Sequence, residues 1–148
     1  MQTVGNAQIP YIMMHMRGTP QTMKSMTSYE DMLVEINHYF SERIAAARAC
    51  GITDIVIDPG FGFAKTREQS FELLSDLDLL QAHRVPILAG VSRKSMIYKT
   101  LNTTAKEALN GTTALHMACL LKGAAILRVH DVKEAEETIT LYKELLIN

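Results

Sequence analysis

Residues 54–63 read DIVIDPGFGF: a short apolar run closed by Asp58, then a loop in which Gly60 and Gly62 alternate with Phe61 and Phe63. A run of this length that is apolar almost throughout is the pattern of a parallel strand covered on both faces. Three further runs share it: PYIMMH at 10–15, PILAG at 86–90, and the run 124–130, which contains AILRVH. Segments of helical period lie between and after them. Over 30–49, Met32, Leu33, Ile36, Tyr39, Phe40 and Ile44 fall on one broad stripe that ends at Gly51, a C-terminal stop. Thr66 is positioned to cap a second helix through Leu80, with Phe71, Leu74, Leu77 and Leu80 recurring at threes. A third helix is expected over about 104–122, stopping at Gly123, and a fourth over 132–146.

Four successive βα units imply an α/β fold with a parallel sheet and right-handed crossovers, either open and doubly wound or closed as a barrel. Both put the functional site at the carboxyl ends of the strands. The first βα turn has no GxGxxG, and GxxxxGK[ST] occurs nowhere, so the usual nucleotide fingerprints of open sheets are missing and a barrel is the better reading. A (β/α)8 TIM barrel takes about 250 residues. The 148 residues therefore read as one partial domain, a half-barrel of about four strands and four helices.

Composition narrows the function classes. A formal net charge of -1 gives no footprint for nucleic acid or an anionic membrane, and 47% apolar with 21% charged residues supports a packed core rather than a disordered tail. No apolar run approaches the roughly 20 residues of a membrane span. The opening MQTVGNAQIP lacks a basic region followed by an apolar stretch, so no secretory signal is expected and the reading is cytoplasmic. Cys50 and Cys119 have no CxxC or CxxH neighbours and read as buried free thiols.

The chemistry-bearing residues gather where the runs end. Asp58 can accept two parallel N–H bonds from an amidine-like edge, while the glycines after it let a flat ring reach the backbone. An aspartate that merely caps its loop is equally open, since DPG is an ordinary turn. The third run leaves as Gly90-Val91-Ser92-Arg93-Lys94-Ser95, whose hydroxyls, cations and expected free amides suit an anion or a polar ring carbonyl. A solvated basic turn is the plainer reading of SRKS alone. In the fourth run, strand alternation puts Ile126, Arg128 and His130 on one face. Buried unpaired, Arg128 would cost several kcal/mol, so an anionic or aromatic partner is expected. The first run ends Met13-Met14-His15-Met16-Arg17-Gly18; its methionines read as adaptable filler, and His15 as a core histidine with no metal-ligand neighbour. His38, His83 and His116 carry no spacing that points to a function.

MMHMRGTPQTM, DPGFGFAKT, GVSRKS and RVHDV, in this order and spacing, resemble the C-terminal half of the dihydropteroate synthase family. That resemblance implies a (β/α)8 barrel that condenses 6-hydroxymethyl-7,8-dihydropterin diphosphate with p-aminobenzoate, releasing diphosphate with Mg²⁺. By motif it implies that Asp58 pairs with the pterin amino and ring N–H edge, Lys94 meets the pterin oxygen and ring nitrogen, and Gly90 lets the pterin lie close. Met14 and Phe63 resemble walls of that pocket, Arg128 a residue that stacks on the pterin and reaches the diphosphate, His130 a second phosphate donor, and Ser95 a contact of the p-aminobenzoate carboxylate. Lys94, Arg128 and His130 are thus the expected catalytic residues. The family's other contacts, including the Asn that meets metal and diphosphate, lie outside this half. No metal ligand is expected within these residues, which alone should be inactive. The exposed strand edges and open core face of a half-barrel predict self-association, at least a homodimer. Two alternatives stay in view: the pterin-binding module of a corrinoid-dependent methyltransferase, disfavoured because it has no diphosphate for SRKS and RVHDV to hold, and a non-catalytic half-barrel that serves assembly.

Overall fold

A computed structural model describes residues 1–147, residue 24 by its backbone only. Among them four parallel strands run β1 (Tyr11–Met14), β2 (Ile55–Asp58), β3 (Leu88–Ala89) and β4 (Ile126–Leu127). β1 pairs with β2 from Tyr11 opposite Ile55 to Met14 opposite Asp58, and β3 with β4 from Leu88 opposite Ile126 to Ala89 opposite Leu127. A parallel bridge between Ile57 and Ile87 joins the two pairs. The strands therefore lie in chain order, as in a barrel wall, with none of the order reversal that defines a doubly wound sheet.

The helices are α1 (Gln2–Ala7), α2 (Met32–Ala49), α3 (Arg67–Ser75), α4 (Ser95–Thr100), α5 (Leu109–Leu121) and α6 (Val132–Leu146). α2 buries Met32, Ile36, Phe40, Ile44 and Ala47 in a core shared with Met13, Ile55 and Ile57 of the strands. Asp31 caps it by accepting from the Val34 N–H at 3.0 Å. It ends in a Schellman closure: Ile52 N–H donates to Ala47 and Gly51 N–H to Arg48, with Gly51 at φ 79°. Only one face of the sheet is covered in this way. Ile12 and Ile126 on the other side are 53% and 39% exposed: apolar residues on both faces fit a closed wall, and the inner face stands open as expected of a half-barrel.

Three boundaries depart from the sequence reading for physical reasons. The second helix stops at Ser75, and a 3₁₀ segment, Leu77–His83, follows; the spacing of three in Leu74, Leu77 and Leu80 is the 3₁₀ period rather than the α period. The third begins as a 3₁₀ turn at Ala105–Glu107 before α5 starts at Leu109, and α4 precedes both. α1 escaped notice because Gly5 sits at its centre, a residue poor at forming helix but the only one that fits there: a Cβ would lie 1.9 Å from the Cys50 carbonyl oxygen.

Thr66 and Gln69 form a capping box at α3, the Thr66 hydroxyl accepting from the Gln69 N–H and the Gln69 side chain from the Thr66 N–H. Thr66→Ala is expected to lower stability by about 1 kcal/mol, read as a shifted urea midpoint at unchanged slope. No shift would deny the cap its role.

Candidate functional site

Asp58 ends β2 fully buried. Its Oδ1 accepts from the Gly60 N–H at 2.8 Å, so it does cap its own loop. Its Oδ2 has no hydrogen-bond donor, although the Arg128 Nη2 lies 2.9 Å away. The guanidinium is close enough to form an ion pair but out of line for a hydrogen bond. A buried carboxylate oxygen without a donor is uncommon, and such atoms gather at functional positions. Arg128 thus has the anionic partner its place in the strand demanded, and that partner is the other residue singled out as a ligand contact. Half of the Arg128 side chain remains exposed. Its guanidinium presses on Gly90, where a Cβ would meet Nη2 at 2.7 Å and Nε at 3.0 Å. Gly90 therefore makes room for Arg128.

The loop after Asp58 is bound by two lysines. Lys94 donates to the Phe61 carbonyl and stands 4.8 Å from the Phe63 ring centroid, a cation–π contact. Burial pushes its ammonium down to about 8, against the pull of Asp58 and helped by Arg128. Lys65, buried, donates to the Gly60 and Phe63 carbonyls, each at 3.2 Å, and lies 3.0 Å from His15 Nδ1. Burial, with Lys65 and Arg17 beside it, lowers His15 to about 3, so the ring is neutral near pH 7 and Nδ1 is the acceptor. Met14 packs half-buried beside Gly60, where an added Cβ would lie 3.6 Å from Met14 Cγ.

The third strand's exit differs from expectation. Arg93 adopts φ 53° and turns its side chain away, giving Asp131 two hydrogen bonds of 2.8 Å and donating also to the Ala105 and Lys106 carbonyls. Its amide donates to the Thr112 hydroxyl and that of Lys94 to Val91, so two of the amides expected to be free are used. Of the two cations in SRKS, Lys94 alone joins the loop after Asp58. Ser92 Oγ accepts from the His130 N–H at 3.3 Å and lies 3.1 Å from His130 Nδ1, tying the third strand's exit to the fourth's. Gly90, Ser92, Lys94, Arg128, Val129 and His130 line one cavity of about 150 Å³. Ser95, the first residue of α4, is exposed and outside that lining.

Arg93 holds Asp131 below the ordinary carboxylate range, so this clamp persists through neutral pH and opens only as the pH falls below that range. Asp131→Asn is expected to release the Arg93 guanidinium and loosen the turn at 92–94, read as faster amide exchange there than in the wild type; unchanged exchange would deny the pair that role.

Sequence reasoning passed over Lys65, because a lysine in a turn normally points into water, and over the Arg93–Asp131 pair, because 38 residues separate its members. Among the described residues no three or more His, Cys, Asp or Glu side chains come together to hold a metal ion. Nor, among them, is any helix long and apolar enough to cross a membrane. Cys50 and Cys119 are free, and burial pushes the Cys119 thiol up to about 12.

A family model described as "Pterin binding enzyme" matches residues 1–130. The chain is 38% identical over 148 residues to the dihydropteroate synthase of Escherichia coli (strain K12), covering 99% of this chain and 52% of that protein. It is 45% identical over 127 residues to that of Synechocystis sp. (strain ATCC 27184 / PCC 6803 / Kazusa), covering 84% and 44%. Among solved structures, Yersinia pestis dihydropteroate synthase with a sulfonamide drug complex superposes with a TM-score of 0.96 at 34% identity, over 99% of this chain and 54% of that one. The Thermus thermophilus enzyme in complex with 6HMPPP gives 0.94 at 31%, over 98% and 59%. The chain spans about half the length of the curated relatives it matches.

Proposed function

This chain belongs to the pterin-binding enzyme family, and from that premise we propose that it carries the C-terminal strand ends of a dihydropteroate synthase. The reaction joins 6-hydroxymethyl-7,8-dihydropterin diphosphate to p-aminobenzoate, giving dihydropteroate and diphosphate. One observation carries the reading: Asp58 is fully buried, and its Oδ2 lacks a hydrogen-bond donor while two cationic side chains, Lys94 and Arg128, stand around it. A pterin's amino group and adjacent ring N–H form the planar donor pair that completes such a carboxylate.

In this reading Lys94 meets the pterin oxygen and ring nitrogen, and Met14 and Phe63 wall the ring. Gly90 keeps the strand low enough for Arg128 to stack, and Arg128 with His130 holds the diphosphate. Ser95, at the start of α4, reaches the p-aminobenzoate carboxylate. The bond from the pterin methylene to the diphosphate oxygen breaks with its electron pair leaving on diphosphate; the p-aminobenzoate nitrogen bonds to the methylene and loses a proton. Cations at the departing oxygens lower that barrier, and no side-chain nucleophile is needed. Mg²⁺ takes most of its about six oxygen ligands from water and phosphate. The described residues gather no cluster of three or more His, Cys, Asp or Glu to hold it, and in this reading its protein ligand lies in the N-terminal half of the enzyme, where the ion would neutralise charge on the leaving diphosphate.

The reading extends to a homodimer, supported by the exposed Val132, Leu141, Leu145 and Leu146 of α6, and to the cytoplasm, where free thiols such as Cys50 and Cys119 persist. The test is diphosphate release by the full-length protein. Release that requires both substrates supports the synthase. Binding of methyltetrahydrofolate with indifference to the pterin diphosphate would mark a methyltransferase module instead.

A further inference from the structure

We infer that Lys65 is a positioning residue, an internal clamp that holds the loop after Asp58 and so fixes the direction in which the carboxylate faces its ligand. The inference rests on the pterin reading for the ligand's identity but on geometry for the clamp. Lys65 is 7% exposed, and its ammonium has three acceptors for three N–H bonds: His15 Nδ1 at 3.0 Å, Gly60 O at 3.2 Å and Phe63 O at 3.2 Å. The Gly60 residue is gripped at both ends, since its N–H donates to Asp58 Oδ1 while its carbonyl accepts from Lys65. Ala64, in the left-handed region at φ 50°, a conformation strained for a residue with a Cβ, turns the chain so that Lys65 folds back beneath the loop. The loop is further seated on the end of β1, because a Cβ on Gly60 would lie 2.1 Å from the His15 carbonyl oxygen. The hydrogen-bonded route from Lys65 to Asp58 runs through Gly60.

No ion pair among the described residues includes Lys65. Removal from water disfavours the charge of a buried ammonium; burial lowers Lys65 to about 7, Asp58 opposing and Lys94 and Arg17 assisting. Those three, His15, and Tyr29, whose hydroxyl donates to the adjacent Ala64 carbonyl, are the charged or titratable groups around it. Below pH 7 all three donors grip the loop; above it one is lost and the loop loosens. Global stability moves the other way. A lysine whose folded value lies below its unfolded one destabilises the fold in its charged form, and that cost fades as pH rises from about 7 toward 10.5.

The experiment is amide hydrogen exchange on the full-length protein and on Lys65→Met, with calorimetry for the pterin diphosphate alongside. In the wild type, protection of 60–65 relative to the α2 amides should fall about tenfold between pH 6 and 8.5 while the melting temperature does not fall. Lys65→Met should show the low protection at every pH and about tenfold weaker pterin binding. A folded variant whose 60–65 protection and pterin affinity match the wild type overturns the clamp. Should Lys65→Met fail to fold, Lys65→Arg, which keeps the charge but cannot seat the same three N–H bonds on His15 Nδ1, Gly60 O and Phe63 O, should lose protection, and unchanged protection there overturns it as well. If the wild type shows the pH-dependent loosening yet binds no pterin, the clamp stands and the pterin reading falls.

Discussion

Asp58→Asn is expected to weaken binding of the pterin diphosphate by about 100-fold, roughly 3 kcal/mol, with little change in melting temperature. The substitution is nearly isosteric, and the new amide oxygen can still accept from the Gly60 N–H, the bond that Oδ1 now makes. At Oδ2, however, an acceptor with no donor of its own becomes an NH₂ group. That group would point a donor at the donor edge of the ligand and remove the charge that Arg128 and Lys94 surround. Hydrogen bonds to a buried charge are worth about 1.5–3 kcal/mol each, and losing one partner leaves the other unsatisfied. Calorimetry on the full-length protein measures it. An unchanged affinity would reduce Asp58 to the cap of its own loop.

Arg128→Ala should separate the two parts of the ligand. Its guanidinium stands between the Asp58 carboxylate at 2.9 Å and the cavity it shares with Ser92, Lys94 and His130, with half of the side chain exposed. A planar fork in that position suits phosphate oxygens bidentately. The expected loss is about 100-fold for the diphosphate-bearing pterin and at most about tenfold for the bare pterin, which keeps Asp58 and Lys94. Equal losses for the two ligands would make the Arg128–Asp58 pair structural. The exposed half of the guanidinium also limits what the pair contributes to folding, since solvent screens it, so a large fall in stability is not expected.

What the sequence made legible follows from how local each signal is. The four strands announced themselves because parallel strands in a wall are continuous apolar runs, and the stripe through Ile36, Phe40 and Ile44 of α2 is written at consecutive helical turns. Asp58 stood out because a carboxylate closing an apolar strand before a glycine-rich turn is unusual within a window of ten residues. The pairings were hidden, since each depends on where distant segments meet. Arg93 looked like an anion ligand until Asp131 took its guanidinium, and Arg128 looked like a ligand contact without Asp58 as its neighbour. Lys65 is the clearest case: nothing in FAKT distinguishes a solvated lysine from one buried beneath a loop, and the difference arises from the left-handed turn at Ala64 and the arrival of His15 from β1. The short strands β3 and β4 were drawn too long because apolar residues flank their paired residues, Pro86 and Ile87 before β3 and Ala124 and Ala125 before β4.

The most direct test of the account is a crystal structure of the full-length protein with the pterin diphosphate. It should show the pterin's amino and ring N–H edge on Asp58 Oδ2, the ring between Phe63 and the Arg128 guanidinium, and the diphosphate within reach of Arg128 and His130. A ligand bound away from the ends of β2 and β4, with Asp58 still facing only Gly60 and Arg128, would contradict it.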